Sequence, residues 1–261
     1  MKTYFKTELG VLYHGDCLEI LPQLGAVDVI LTDPPYSSGG QFRGDRNQKT
    51  SIKYVQTGSV ETCKIDFQGD SRDQRAFLAW STMWLSKMLQ IATPGAVLMT
   101  FTDWRQLPTL SDAIQCGGWV WRNIVTWWKP GIRMQRGRFS SSAEYVLYAS
   151  NGIPQAGSES PQNVLQYQPV PGIEKEHIAE KPIELIRTLL GVSSPGSTVL
   201  DSFAGSGSTP IACELLGLKW VAIEISEKQC EIAAKRIERE RQQLKLFPPV
   251  EMAKPVQGGL F

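Results

Sequence analysis

The run Val27-Asp28-Val29-Ile30-Leu31-Thr32 ends against Asp33-Pro34-Pro35-Tyr36, and no other stretch constrains the fold as much. The run is short, apolar and β-branched, which reads as a buried strand, and a pair of prolines stops it in a rigid turn. Open α/β sheets place their chemistry at the carboxyl ends of strands. The turn therefore offers a carboxylate, carbonyls from residues that cannot donate, and an aromatic face at such an end. A strand-capping turn with a surface tyrosine would use the same residues, so the rest of the chain has to decide.

Strand and helix patterns alternate along the chain. Val11-Leu12-Tyr13 is a short strand running into His14-Gly15-Asp16-Cys17, with Leu18, Ile20 and Leu21 next at helical spacing. Asp16 suits the cap of that helix. Ser71-Arg72-Asp73-Gln74 has the form of a capping box. Phe77, Trp80, Trp84, Met88 and Ile91 follow at steps of three and four, an amphipathic helix whose aromatic stripe belongs to a core. Ala96 to Phe101 is the next strand, a helix runs from about Leu107 to Gln115, and Trp119 to Trp128 and Glu144 to Tyr148 are strands. This alternation predicts a parallel α/β sheet. Residues 150–172 look irregular. Pro182 suits the first turn of a helix faced by Ile183, Ile186, Leu189 and Leu190 and closed by Gly191.

A second strand-turn junction comes late. Thr198-Val199-Leu200-Asp201 is a strand, Ser202-Phe203-Ala204-Gly205-Ser206-Gly207-Ser208 a tight turn, and Thr209-Pro210-Ile211-Ala212 a helix start. The phosphate loop of nucleotide hydrolases needs Gly-Lys-Ser/Thr, which is absent. The dinucleotide fingerprint needs a third glycine where Pro210 stands, which disfavours a nicotinamide oxidoreductase. Trp220-Val221-Ala222-Ile223-Glu224 follows, and Glu224 falls about where nucleotide-binding βαβ units put the acid that takes ribose hydroxyls.

In this order the motifs resemble those of the β group of DNA amino methyltransferases, with the Asp-Pro-Pro-Tyr element first and an Asp-x-Phe-x-Gly-x-Gly loop last, over roughly residues 9–240. The resemblance implies an α/β, Rossmann-like class I S-adenosylmethionine-dependent methyltransferase fold. Its motif order would be circularly permuted, its sheet mostly parallel and seven-stranded, with helices on both faces. Asp33, Pro34, Pro35 and Tyr36 would be the catalytic element. The Asp33 carboxylate and the Pro34 carbonyl would accept both N–H bonds of an exocyclic amine and localise its lone pair, and Tyr36 would stack on the flipped base. S-adenosyl-L-methionine would be held by Asp16, Cys17, Asp33, the His177…Lys181-Pro182 element and Asp201. Phe203, Ala204, Gly205, Ser206, Gly207, Ser208 and Thr209 would form its loop, with Glu224 and Ile225 beyond. No metal is implied. Asp at the first motif position indicates the N6 of adenine. The N4 of cytosine is the alternative, and an inactive DNA-binding scaffold a more distant one. Carbon-5 methylation is disfavoured, because none of the five cysteines follows a proline.

Net charge is +1, so a footprint on double-stranded DNA has to be local. Arg43, Arg46 and Lys49 lie in the long polar stretch 37–70, expected to be a mobile DNA-facing loop. Lys129, Arg133, Arg136 and Arg138 open residues 129–175, a short target-recognition region suited to phosphate contact. Its shortness favours a homodimer. Scattered cysteines without a CxxC pair, no apolar core at the N-terminus and no run of membrane-spanning length together suggest a cytoplasmic protein, bacterial or phage-encoded, with no membrane partner. One methyltransferase domain is expected over 1–247, with a flexible tail at 248–261. Gln243-Leu244-Lys245-Leu246-Phe247 and Gln257-Gly258-Gly259-Leu260-Phe261 resemble the motif by which bacterial replication proteins dock on the sliding clamp.

Overall fold

The computed structural model describes residues 1–37, 70–132, 136–137, 139–154, 157, 159–171 and 180–246. The strands are β1 (Lys2–Lys6), β2 (Gly10–His14), β3 (Val27–Thr32), β4 (Ala92–Thr102), β5 (Val120–Trp128), β6 (Ala143–Ser150), β7 (Val164–Gln166), β8 (Thr198–Asp201) and β9 (Lys219–Glu224). The helices are α1 (Cys17–Ile20), α2 (Gln74–Ile91), α3 (Leu107–Cys116), α4 (Ile183–Leu190), α5 (Ser208–Leu216) and α6 (Glu227–Leu246). None of the described helices is long and apolar enough to cross a membrane.

All nine strands form one sheet, in the order β1-β2-β9-β8-β3-β4-β6-β5-β7. The five strands from β2 to β4 are parallel neighbours. The sheet exceeds the expected seven strands by β1 and β7, one at each edge. β1 pairs antiparallel with β2. β7 lies inside the stretch read as irregular and pairs parallel with β5; three residues are too few to show a period.

The expectation of a parallel sheet fails at β6, which runs antiparallel to both β4 and β5. Periodicity marks a strand without its direction. The reversal carries the first residues of β6 to the carboxyl edge of the sheet, where Tyr145 pairs with Thr102 and Glu144 with Trp127.

β3 is buried along its length except at Asp28, which accepts from Thr93 Oγ1 at 3.0 Å and the Thr198 N–H at 2.9 Å. Its alternate side chains serve two cores. On one face Val29 and Leu31 pack with Leu185, Ile186, Ile211 and Ile237 of α4, α5 and α6. On the other, Ile30 packs with Phe77, Trp84, Leu85 and Ile114 of α2 and α3.

The cap of α2 is Asp73, two residues beyond Ser71 where the capping-box reading put it; its carboxylate accepts the Ala76 N–H at 2.9 Å. Asp73→Ala is expected to cost about 1 kcal/mol of stability, the usual loss of a polar N-cap. Urea unfolding would show it as a lower midpoint at constant slope.

Candidate active site

The carboxyl ends of β2, β3, β4, β5, β8 and β9 open into one cavity of about 760 Å³. All four residues of the Asp33–Tyr36 turn line it, as do Asp16, Cys17, Lys181, Asp201, Glu224 and Ile225. The glycine turn contributes Phe203 to Ser206, and the helix start Ser208 and Thr209. Gly207 stands just behind, at φ +86, where an added Cβ would come within 3.0 Å of Ala233 Cβ. Two strand-turn junctions far apart in sequence therefore face one space, as a permuted doubly wound sheet requires.

At the β3 end, Asp33 Oδ1 accepts the Tyr36 hydroxyl at 2.7 Å and Oδ2 the Lys181 ammonium at 2.5 Å. Lys181 is buried, with its ammonium 5.1 Å from the Phe101 ring centre. It directly precedes Pro182, which caps α4 rather than opening its first turn. Glu144, at the start of the reversed strand, lies 3.3 Å from the Tyr36 hydroxyl and 3.5 Å from Lys181 Nζ, and pairs with Lys129. Burial raises the Asp33 carboxyl above its ordinary value, against the pull of Lys181. Burial also opposes ionisation of Glu144, but the Lys181 and Lys129 ammoniums outweigh it and hold that carboxyl below the usual range. Lys181 is desolvated too, yet its two carboxylate neighbours raise it. Burial pushes the Tyr36 phenol well up, reinforced by Asp33 and Glu144, so it stays a donor.

At the other end, Glu224 accepts the Gly205 N–H at 2.9 Å and the Ser226 N–H at 2.8 Å, one on each oxygen. Lone pairs remain on each oxygen for a diol. Gly205 takes φ +50, and nothing lies within 4 Å of where its Cβ would be, so the loop meets the cavity as bare backbone. Asp16 caps α1 through the Leu18 N–H at 2.8 Å and still faces the cavity. Burial drives the Cys17 thiol up to about 12, making it an unreactive wall.

Asp201 points its Oδ1 at the Thr32 hydroxyl (2.8 Å) and the Phe203 N–H (3.1 Å), bracing the two junctions against each other. Burial lifts its carboxyl to about 6, with the Thr209 and Thr32 hydroxyls opposing. An unfolded aspartate titrates near ~3.9. The folded state thus holds this proton more tightly, and stability falls as pH rises from about 4 through about 6. Asp201→Asn keeps an oxygen acceptor and removes the ionisation. Its melting temperature should gain on wild type between about pH 4.5 and 7.5. A growing deficit over that interval would contradict the assignment.

Several residues differ from their sequence-based expectation. Trp80, assigned to the core stripe, lines the cavity; its ring centre is 5.5 Å from that of Phe203, and the Arg72 guanidinium lies 4.0 Å from it. Lys129, expected on a DNA phosphate, is committed to Glu144 and lies 4.6 Å from the Trp127 ring centre. Arg136 is exposed. Arg43, Arg46, Lys49, Arg133, Arg138 and His177 lie outside the described residues, as do Phe247 and the whole of 257–261. Three contributors had no sequence signal: Glu144, Glu180 and Arg236. Arg236 donates to the Ser206 carbonyl at 2.7 Å and hydroxyl at 2.8 Å, and to Glu180 at 2.5 Å.

Where residues 38–69 begin, Ser37 takes φ 52, donates its N–H to Asp70 Oδ1 at 2.8 Å, and accepts from Gln106 Nε2 at 3.2 Å. The two flanks of that stretch are therefore tied to each other beside the Tyr36 turn.

A doubly wound sheet thus brings a bare glycine turn, a carboxylate with lone pairs to spare on the next strand and an Asp-Pro-Pro-Tyr turn to one cavity. The chain belongs to the N6/N4 DNA methylase family, whose profile matches residues 27–235. It is 32% identical to the Type II methyltransferase M.SmaI of Serratia marcescens, over 87% of this chain and 90% of that protein. It is 25% identical to the Type II methyltransferase M.BamHI of Bacillus amyloliquefaciens over 96% of this chain, and it spans 62% of that protein's length. Among solved structures it superposes on the M1.HpyAVI–SAM complex (TM-score 0.63, 22% identity, 87% of this chain and 98% of that one). It also superposes on the cytosine-N4-specific PvuII DNA methyltransferase (TM-score 0.69, 16% identity, 93% and 95%).

Proposed function

We propose that this DNA methyltransferase acts on the exocyclic N6 of adenine, flipped from double-stranded DNA into the space before Asp33. Membership of the N6/N4 family fixes the coarser statement, a methyltransferase acting on DNA with S-adenosyl-L-methionine as methyl donor. The cavity suits that donor: bare backbone at Gly205, lone pairs on Glu224 for the ribose, aromatic faces at Phe203 and Trp80, and a carboxylate at Asp33 for the sulfonium end. When bound there, the donor supplies an electrophilic methyl group.

The residues of the turn do the rest. An amine conjugated to an aromatic ring is a poor nucleophile because its lone pair is delocalised. Asp33, accepting one N–H, and the Pro34 carbonyl, accepting the other, draw the nitrogen toward tetrahedral geometry. As the N–C bond replaces the donor's S–C bond, the charge developing on nitrogen is met by a carboxylate already in place, which can also take the proton that the nitrogen sheds. Tyr36 supplies a face for the flipped base, which chemistry on a paired base requires.

Asp33 is the observation that carries the adenine reading. The decisive measurement is transfer of label from tritiated S-adenosylmethionine to unmethylated genomic DNA, followed by digestion to nucleosides. Label in N6-methyladenosine supports the reading, and label in N4-methylcytosine replaces adenine by cytosine with the same residues in the same roles. A homodimer on DNA, a cytoplasmic location and docking of the Gln243–Phe247 or Gln257–Phe261 segments on a sliding clamp belong to the same proposal. Unchanged clamp capture after deletion of residues 243–261 would remove the last of these.

A further inference from the structure

Both oxygens of Asp33 are taken. Tyr36 holds one at 2.7 Å and Lys181 the other at 2.5 Å. If Asp33 receives an incoming amine, as the proposed function requires, these two donors compete with the substrate. Each has a second carboxylate within reach, and it is the same one. Glu144 Oε2 lies 3.3 Å from the Tyr36 hydroxyl and 3.5 Å from the Lys181 ammonium. Glu144 is anchored from its other oxygen by Lys129, so it has a fixed place to which the donors can move.

We propose that Glu144 is a positioning residue, an alternative acceptor that draws Lys181 and Tyr36 off Asp33 as the target amine docks and so frees the Asp33 oxygens for it. The geometry suits an exchange of hydrogen bonds with no proton lost. Lys181 and Tyr36 are both held in their donor forms, and Glu144 is held ionised by two ammoniums. Neither donor has to cross open space, since the longer of the two alternative contacts is 3.5 Å. The N–H of the arriving amine is a neutral donor that takes the place of one of the two on Asp33, while the Lys181 ammonium keeps a carboxylate partner by moving to Glu144.

Single-turnover methylation at saturating tritiated S-adenosylmethionine and DNA tests this, with wild type, Glu144→Gln, Glu144→Asp and the double variant Glu144→Gln/Lys181→Met compared. Melting with and without S-adenosylhomocysteine reports folding and the cofactor site. Glu144→Gln leaves no charge to draw the ammonium across, so the rate should fall by about tenfold or more with the KM for S-adenosylmethionine unchanged. Glu144→Asp, which keeps the charge one methylene further back, should fall between. The double variant should be faster than Glu144→Gln alone, because the competitor for Asp33 is gone; a purely structural ion pair gives no such recovery. A Glu144→Gln rate within about twofold of wild type, or a double variant slower than the single, overturns the proposal. Should Glu144→Gln fail to melt cooperatively, Glu144→Asp carries the test: a slower rate at unchanged KM supports it, and a rate within about twofold of wild type overturns it. A wild-type protein that labels no DNA amine fails earlier, at the functional reading, and takes this inference with it.

Discussion

Asp33→Ala is expected to lower single-turnover methyl transfer by on the order of a thousandfold while S-adenosylhomocysteine still binds. The size comes from what the carboxylate is asked to do. It accepts an N–H of the target, localises the nitrogen lone pair and faces the positive charge that develops as the methyl group is taken. Removing one preorganised group of this kind costs about a hundredfold to a thousandfold, and here the same group also orients the amine. Folding should survive, because Asp33 is only partly buried and stands outside both apolar cores. Its removal leaves Lys181 and Tyr36 beside Glu144. Cofactor binding by calorimetry and label transfer to DNA would be measured on the same preparation. A variant that retains transfer within about tenfold of wild type would mean that the amine is activated elsewhere.

The second large effect is on stability. Arg236 and Glu180 form an ion pair whose side chains are 5% and 7% exposed, and the same guanidinium holds both oxygens of Ser206 in the glycine turn. Arg236→Ala strips Glu180 of that guanidinium in a dry setting and unties the turn. Breaking a buried pair from one side costs about 3–5 kcal/mol, roughly 10 °C in melting temperature for a chain of this size. Affinity for S-adenosylhomocysteine should fall as well, because Ser206 belongs to the wall that receives it. Arg236→Lys keeps the charge but replaces a planar fork by a point, and should fall in between. A melting temperature unmoved in Arg236→Ala would show that burial, and not this pair, fixes the turn.

The two junctions were legible in the sequence because each compresses its signal into a few adjacent residues. A β-branched run stopped by Pro34-Pro35 and a strand opening into Gly205-x-Gly207 have few alternative readings. Family membership bore out the methyltransferase fold that the motif order implied. What stayed hidden was set by pairings distant in sequence. Glu144 reaches Tyr36 and Lys181 only because β6 runs against its neighbours, and residue pattern carries no strand direction. Arg236 sits on a mixed-charge helix where one more arginine is unremarkable until the helix is packed on Ser206. Trp80 keeps the same three- and four-residue step as Phe77 and Trp84, and only in the folded chain does it line the cavity while those two are fully buried.

The tie between Ser37 and Asp70 has a consequence for how such a protein diversifies. The Ser37 N–H is held by Asp70 Oδ1 at 2.8 Å, so the two residues that flank 38–69 in the sequence are fixed relative to each other beside the Tyr36 turn. Doubling the length of a stretch whose two ends are held this close adds only about 0.6 kcal/mol of closure entropy. Neither Asp33 nor Tyr36 would have to shift for the stretch to be shortened, extended or exchanged. What lies between two such fixed residues can be exchanged as a unit while the Asp33–Tyr36 turn keeps its place.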